Sequence, residues 1–180
     1  MANSYNNIIL HLVFAVKNRE SLIAPKYFPE FHKYIAGCFI NRGHDIIEIG
    51  GTSNHIHILF RYNPKELLSD LIRDVKSSSS RFVYEKRYSP FMFNWQRGYG
   101  CFSVDCGLYD KLIQYIRNQQ DHHRQYHVRE EMRRLLHRCG LEYNEHYILK
   151  MYRADIAPLT RGMGVWDDLT RTNDPLTRAR

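Results

Sequence analysis

Residues 44–62 read HDIIEIGGTSNHIHILFRY and contain two short apolar runs, 44–51 and 53–62, separated by Gly-Gly-Thr-Ser. Runs of this length that are rich in isoleucine, leucine and phenylalanine are typical of β-strands. Glycine and small polar residues between two such runs favour a tight reversal of the chain. The stretch therefore predicts two antiparallel strands that form a hairpin.

A strand and a helix are predicted before the hairpin. Residues 5–16, YNNIILHLVFAV, are apolar at both odd and even positions, which indicates a strand with a helix over one face. Residues 25–42 carry apolar side chains at spacings of three and four and precede Gly43, a residue type that often ends a helix. The apolar positions of this predicted helix are Phe28, Phe31, Ile35 and Phe39.

More helices and one strand are predicted after the hairpin. The sequence NPKE (63–66) combines a capping residue, a first-turn proline and a glutamate three residues after the cap, which predicts a helix start. Apolar residues continue this helix at helical spacing, whereas the four serines at 77–80 disfavour a helix interior and leave its continuation through SSSSRFVYEKRY open. Residues 98–105 predict a strand, and residues 111–124 and 128–139 predict two further helices.

The predicted order is strand, helix, strand, strand, helix, strand. This is the order of the ferredoxin-like βαββαβ sandwich, an α+β fold with an antiparallel sheet and helices on one face, here followed by C-terminal helices. Because the periodicity stops after about Arg153, we expect one domain over residues 1–153 and an extended tail over 154–180.

The composition is that of a globular protein with a basic surface. The chain has 180 residues, a formal net charge of +7 and 13% aromatic residues, which favours a polyanionic partner. Its four cysteines form no CxxC pair, so we expect reduced, structural thiols. No apolar run approaches the roughly 18 residues that span a bilayer, and we expect a soluble cytoplasmic protein without a membrane partner.

Two short motifs carry side chains that suit metal or phosphate chemistry. His55 and His57 are two residues apart in a predicted strand, so both imidazoles lie on one face and could chelate one metal ion. Tyr115 and Gln119 are four residues apart in a predicted helix and share one of its faces. Each motif alone is also typical of an ordinary strand or helix surface.

Together, five segments resemble the single-tyrosine HUH transposases of small prokaryotic insertion sequences, which are related to the REP-associated tyrosine transposases. The segments occur in the order of that family and cover roughly residues 5–150. They are HLVFAVKNR, NHIHILF, LSDLIRDVKSSSSRFV, WQRGYGCFSV and YIRNQQDHH.

The resemblance implies a metal-dependent endonuclease and strand transferase that acts on single-stranded DNA, usually at a hairpin near an element end. Tyr115 would be the nucleophile, forming a 5′-phosphotyrosine and releasing a 3′-hydroxyl that later rejoins DNA. His55, His57 and Gln119 would bind a divalent ion, Mg²⁺ or Mn²⁺. The family also implies a homodimer in which the tyrosine helix of one subunit can complete the metal site of the other.

Five basic residues are candidates for the DNA path because they lie in or beside the two matching helices and the glycine-rich strand. They are Lys76, Arg81, Arg97, Arg117 and Arg124.

Four alternative functions each account for part of these features. A nucleotide hydrolase or transferase of the HIT type would need a third histidine where Leu59 stands. A two-histidine phosphodiesterase would need a second His-x-Ser/Thr repeat that the chain lacks. An HUH replication or plasmid-transfer nickase shares the chemistry, but it often has a third metal-binding histidine and a longer chain. A catalytically inactive, transposase-derived DNA-binding protein predicts binding that survives chelators and Tyr115→Phe.

Overall fold

The computed structural model describes residues 5–17, 23–119, 128–145 and 148. The strands are β1 (Ile9–Ala15), β2 (Asp45–Gly51), β3 (His55–Arg61) and β4 (Gly100–Ser103). The helices are α1 (Phe28–Ile40), α2 (Leu68–Lys86), α3 (Tyr109–Arg117) and α4 (Val128–Arg138). Short 3-10 turns at Pro25–Tyr27 and Cys106–Leu108 precede α1 and α3.

The four strands form one antiparallel sheet in the order β2-β3-β1-β4. The sequence from β1 to β4 has the order βαββαβ, so the predicted ferredoxin-like α+β fold is confirmed. The hairpin predicted over residues 44–62 is the β2–β3 pair, in which Gly50 lies opposite His57.

The two faces of the sheet are covered by different helices. Even-numbered residues of β1 and β3, such as Phe14 and Ile58, point toward α1 and α2 and form the largest apolar cluster. Odd-numbered residues of these strands, such as Val13 and Leu59, point to the other face, where α3 and α4 pack in two smaller clusters. The C-terminal helices therefore lie opposite the helix pair of the ferredoxin-like core.

The start of α2 differs from the prediction. The helix begins at Leu68, not within the NPKE segment, because the polar groups of that segment have other partners. Asn63 accepts a hydrogen bond from the backbone N–H of Lys65 over 3.1 Å, which closes a turn. The carboxylate of Glu66 is held by Arg42 and by His44 Nε2 at 2.9 Å instead of reaching back to cap a helix.

The serine run does not interrupt α2. Ser79 is buried, donates to the carbonyl of Val75 over 2.6 Å and accepts from Trp95 Nε1 over 2.8 Å. The side chain thus satisfies both the helix backbone and a buried indole, and α2 continues to Lys86.

Several sequence predictions reach beyond the described residues. The helix predicted over 111–124 is α3 as far as Arg117, and residues 120–127 lie outside the described part, as does the tail predicted over 154–180. Cys38, Cys101, Cys106 and Cys139 are free thiols, as predicted. Within the described ranges, no helix combines the length and apolar character needed to cross a membrane.

Candidate functional site

His55 and His57 are buried on the face of the sheet that α3 and α4 cover. Their ring centroids are 5.0 Å apart, and Ile56 between them points into the opposite core. The alternation of a β-strand thus places both imidazoles side by side, as the sequence predicted.

The histidine His11 of β1 orients His57. His11 Nε2 lies 2.9 Å from His57 Nδ1, and the two rings stack. Burial, together with the neighbouring His57, lowers the pKa of His11 to about 3, so His11 is neutral at physiological pH. In the tautomer in which His57 Nδ1–H donates to His11, the lone pair of His57 Nε2 faces the interior of the site.

A second group of polar residues orients His55. Its Nδ1 lies 2.6 Å from Asn54 Oδ1 and 2.9 Å from Thr52 Oγ1, and Thr52 also donates to Asn54 over 2.8 Å. Because Nδ1–H of His55 donates to the acceptor Asn54 Oδ1, its Nε2 is the acceptor that faces Gln119 Oε1 at 3.4 Å. His55 and His57 therefore both direct Nε2, the nitrogen that could bind a metal ion, into the cluster.

Tyr115 and Glu131 complete the buried cluster. The Tyr115 hydroxyl donates to Glu131 Oε1, and the same carboxylate oxygen lies 3.4 Å from His57 Nε2. The Tyr115 ring meets the His57 ring edge to face at a centroid distance of 5.8 Å. The phenol and the histidine pair are thus linked through one buried carboxylate from α4.

Two glycines at the ends of one cross-strand row let α3 and α4 approach the sheet beside His57. Gly50, His57, Val13 and Gly100 are successive cross-strand partners from β2 to β4. A Cβ at Gly50 would lie 2.3 Å from the carbonyl oxygen of Ile116, and a Cβ at Gly100 would lie 2.8 Å from the sulfur of Met132.

Each of those two contacts sits beside a site residue. Ile116 adjoins Tyr115 in α3, and Met132 adjoins Glu131 in α4. At Gly50 the contact is with the backbone of α3, so this glycine sets how closely Tyr115 approaches the sheet, whereas at Gly100 the contact is with the flexible end of the Met132 side chain.

The donors of this cluster fit a divalent cation. One ligand atom from each of His55, His57 and Glu131 lies within 4.8 Å of the others. Two donors on one ion are at most about 4.4 Å apart at bond lengths of about 2.2 Å, so the widest pair has to close by only a few tenths of an ångström. With the amide oxygen of Gln119, the set offers imidazole and oxygen ligands in one buried cluster.

The structure brings the four predicted catalytic and metal residues of one chain together. The predicted DNA-contacting residues are more dispersed. Lys76 donates to the carbonyls of Gln96 and Gly98 over 2.9 and 2.7 Å, and burial lowers its pKa to about 8. Arg97 is exposed beside it, and Arg81 is exposed on α2.

The remaining two DNA-path candidates lie elsewhere. Arg117 pairs with Glu48 over 2.6 Å. Arg124 lies outside the described residues.

His11 and Glu131 are the site residues that the sequence analysis missed. Glu131 occupies the same face of α4 as Leu135, so a carboxylate on an apolar helix face was a readable signal in VREEMRRLLHR. His11 shares the parity of Val13 in β1, but its contact with His57 depends on strand pairing, which one sequence does not specify.

Comparison with known proteins gives one family match. Residues 4–119 match the family model for "Transposase IS200 like". No match was found among curated proteins.

Two solved structures share the fold. A candidate transposase from Deinococcus radiodurans is 17% identical with a TM-score of 0.50, covering 66% of this chain and 96% of that one. A REP-associated tyrosine transposase bound to a REP hairpin is 15% identical with a TM-score of 0.52, covering 89% of this chain and 98% of that one. At these identities the likeness concerns the fold, whereas the family match spans more than half of the chain. The protein therefore belongs to the IS200-like transposases, a family of DNA-cleaving enzymes.

Proposed function

We propose that this transposase cleaves and rejoins single-stranded DNA at hairpin-containing element ends through a 5′-phosphotyrosine on Tyr115. The observation that carries the proposal is the contact chain from Tyr115 through Glu131 to His57, next to the pair His55 and Gln119, all within one chain. A nucleophile and a candidate cation site therefore share one buried cluster, the combination that transfer of a DNA phosphate uses.

The covalent step follows from the chemistry of the phenol. The Tyr115 oxygen bonds to the phosphorus, and the bond from phosphorus to the 3′-oxygen breaks, releasing a 3′-hydroxyl. The phenol proton passes to Glu131, which already accepts its hydrogen bond, and the departing 3′-oxygen takes up a proton from solvent. Because the phosphotyrosine conserves the energy of the phosphodiester, attack by a 3′-hydroxyl reverses the step and rejoins DNA without a nucleotide cofactor.

His55, His57 and Gln119 are the residues that would hold a divalent ion, with Glu131 beside them as the proton acceptor of Tyr115. When bound, the ion supplies Lewis-acid polarisation of a nonbridging phosphate oxygen and neutralises charge in the transition state. The imidazole nitrogens make the set less typical of Mg²⁺, so we expect Mn²⁺ to support cleavage at least as well.

The proposed substrate is hairpin-forming DNA. The net charge of +7 favours a polyanion, and the REP-associated relative is bound to a hairpin. We assign contacts with the phosphate backbone to the five basic residues of the sequence prediction, Lys76, Arg81, Arg97, Arg117 and Arg124.

We also propose that residues 1–153 form the catalytic domain, that 154–180 are a tail, and that the enzyme acts in the cytoplasm.

A covalent-trapping experiment tests the chemistry. Single-stranded oligonucleotides from DNA flanking the gene would be mixed with the protein and Mn²⁺ or EDTA, and an SDS-resistant adduct would be measured. We expect a Mn²⁺-dependent adduct that Tyr115→Phe abolishes and His57→Ala strongly reduces, whereas the control Tyr143→Phe, which alters an exposed ring, keeps it. Hairpin binding without any adduct, unaffected by EDTA, would instead support the non-catalytic DNA-binding protein.

Subunit mixing tests how the site is assembled. The contacts of Tyr115 with His57 and of Gln119 with His55 within one chain are compatible with a site completed in cis, even within the homodimer that the family implies. His57→Ala and Tyr115→Phe chains would each be inactive, and we expect their mixture to stay inactive. Recovery of cleavage in the mixture would show that the tyrosine helix acts on the partner subunit.

A further inference from the structure

A groove with both apolar and polar lining lies on the face of the sheet opposite His55 and His57. It runs between α2 and the segment 94–99 and has a volume of about 440 Å³, within the range of about 300–1,000 Å³ typical of ligand sites. Its lining includes the side chains of Lys76, Ser77, Ser80, Arg97 and Tyr99.

The serine run of α2 keeps this groove open. Ser77 and Ser80 line it together with Ser69, which lies two turns earlier on the same helix face. Ser79, in contrast, is turned to Trp95 and is buried. Short hydroxyl side chains leave room along the helix and offer hydrogen-bond donors to an anionic oxygen.

The groove is positively charged, and one of its charged side chains has no partner among the described residues. None of its lining residues is acidic. The Lys76 ammonium anchors the floor through the carbonyls of residues 96–98 and lies 5.6 Å from the centroid of the Tyr99 ring. The Arg97 guanidinium makes no hydrogen bond or ion pair with any residue that the structure describes.

An aromatic face is available at the same place. Tyr99 is 42% exposed and contributes its ring to the groove, whereas the neighbouring Trp95 is buried in the core. An exposed ring beside an arginine and hydroxyl groups is the combination that binds unpaired nucleotides, through base stacking and phosphate contacts. Bases inside a duplex are already stacked on one another, so the ring favours a single strand.

The groove is connected to the candidate active site through the chain itself. The backbone N–H of Gln96 donates to the carbonyl of Ala15 over 2.8 Å, and Ala15 is the cross-strand partner of His55. The segment that carries Arg97 and Tyr99 then continues into the edge strand β4. The groove and the histidine pair are therefore at the same end of the sheet, on opposite faces.

We propose that this groove is a binding site for an unpaired segment of DNA, with a phosphate at Arg97, Ser77 and Ser80 and a base on Tyr99. The site goes beyond the cleavage chemistry, because its residues include neither Tyr115 nor any of the candidate metal ligands. A strand held here would anchor DNA that continues around the β4 edge toward the active site.

Binding without metal tests the proposal independently of cleavage. The full-length protein in EDTA would be titrated into a fluorescein-labelled thymidine oligonucleotide, with anisotropy as the readout at several salt concentrations. We expect Arg97→Ala and Tyr99→Ala each to weaken binding about tenfold. Arg97→Ala would also reduce the slope of log affinity against log salt by about 0.7, the effect of losing one single-strand phosphate contact.

Matched controls separate the groove from general effects of charge and aromaticity. Arg61→Ala removes an arginine that pairs with Asp45, and Tyr84→Ala removes a ring that is 78% exposed on α2 outside the groove lining. Both are expected to bind as the wild type does, and Ser80→Leu, which fills the groove without changing charge, is expected to weaken binding.

The groove assignment is overturned if Arg97→Ala binds like Arg61→Ala and Tyr99→Ala binds like Tyr84→Ala, or if the wild type does not bind the oligonucleotide at all. An unlabelled duplex that competes as well as the single strand would also overturn it. Because Tyr115→Phe is expected to bind normally in this assay, loss of cleavage and loss of groove binding are separately observable. Thermal unfolding of each variant confirms that it is folded.

Discussion

Gly50→Ala tests whether the close packing of α3 against the sheet at Gly50 positions Tyr115. The added Cβ would lie 2.3 Å from the carbonyl oxygen of Ile116 and 2.9 Å from its Cγ2. The first of these atoms belongs to the helix backbone, so rotation of a side chain does not relieve the overlap. Ordinary contact requires α3 to withdraw by about 1 Å, and Tyr115 and Gln119 move with it.

The expected effect on the reaction is much larger than the effect on stability. Overpacking of this kind typically costs about 1–3 kcal/mol of unfolding free energy, which leaves a domain of ordinary stability folded. A displacement of about 1 Å at the nucleophile can lower the rate by about 100-fold. We therefore expect Gly50→Ala to be folded and to form the phosphotyrosine about 100 times more slowly.

The assay is the single-turnover rate of adduct formation with Mn²⁺, accompanied by thermal unfolding. Gly37→Ala in α1 is the matched control, because a Cβ there meets nothing within 4 Å. This control is expected to keep the wild-type rate and to gain up to about 1 kcal/mol in stability. A Gly50→Ala protein that reacts at the wild-type rate would refute the inference that the glycine sets the position of the tyrosine.

Three other predictions concern single side chains. Ser79→Ala leaves the buried indole N–H of Trp95 without its acceptor, so we expect a loss of about 1–3 kcal/mol in the free energy of unfolding, measured by denaturant titration. His11→Ala removes the partner of His57 Nδ1 and is expected to lower Mn²⁺ affinity by about 10–100-fold, measured by electron paramagnetic resonance, whereas an unchanged affinity would count against its orienting role. Burial lowers the pKa of His32 from 6.5 to about 4, so the unfolded chain binds a proton first and stability falls as the pH drops between these values. His32→Phe is expected to reduce that fall in pH-dependent melting curves, and an unchanged curve would contradict the assignment.

The sequence was sufficient to predict the fold because local signals agreed with one another. The apolar helix face of α1, the hairpin around the two glycines and the His-x-His alternation each depend on spacing along a short segment. The spacing of four residues also placed Tyr115 and Gln119 on one face of the helix predicted after β4. The helix start at 63–66 was wrong because Glu66 is held by Arg42 and His44, which are more than twenty residues away.

The missing parts of the site depend on strand order and on helix packing. His11 meets His57 only because β1 pairs with β3, and Glu131 reaches Tyr115 only because α4 packs beside β4. The cross-strand row that runs from Gly50 to Gly100 likewise cannot be predicted from the sequence, because its four members come from four different strands. Spacing within one segment carries no information about such distant partners.

Identification of the residue that becomes linked to DNA tests the central claim most directly. The adduct formed with Mn²⁺ and a single-stranded substrate would be digested with protease and nuclease, and the modified peptide would be sequenced by mass spectrometry. We expect one peptide that carries a 5′-linked nucleotide on Tyr115, together with a free 3′-hydroxyl on the released DNA. A nucleotide on any of the other tyrosines, or cleavage that leaves no covalent adduct, would contradict it.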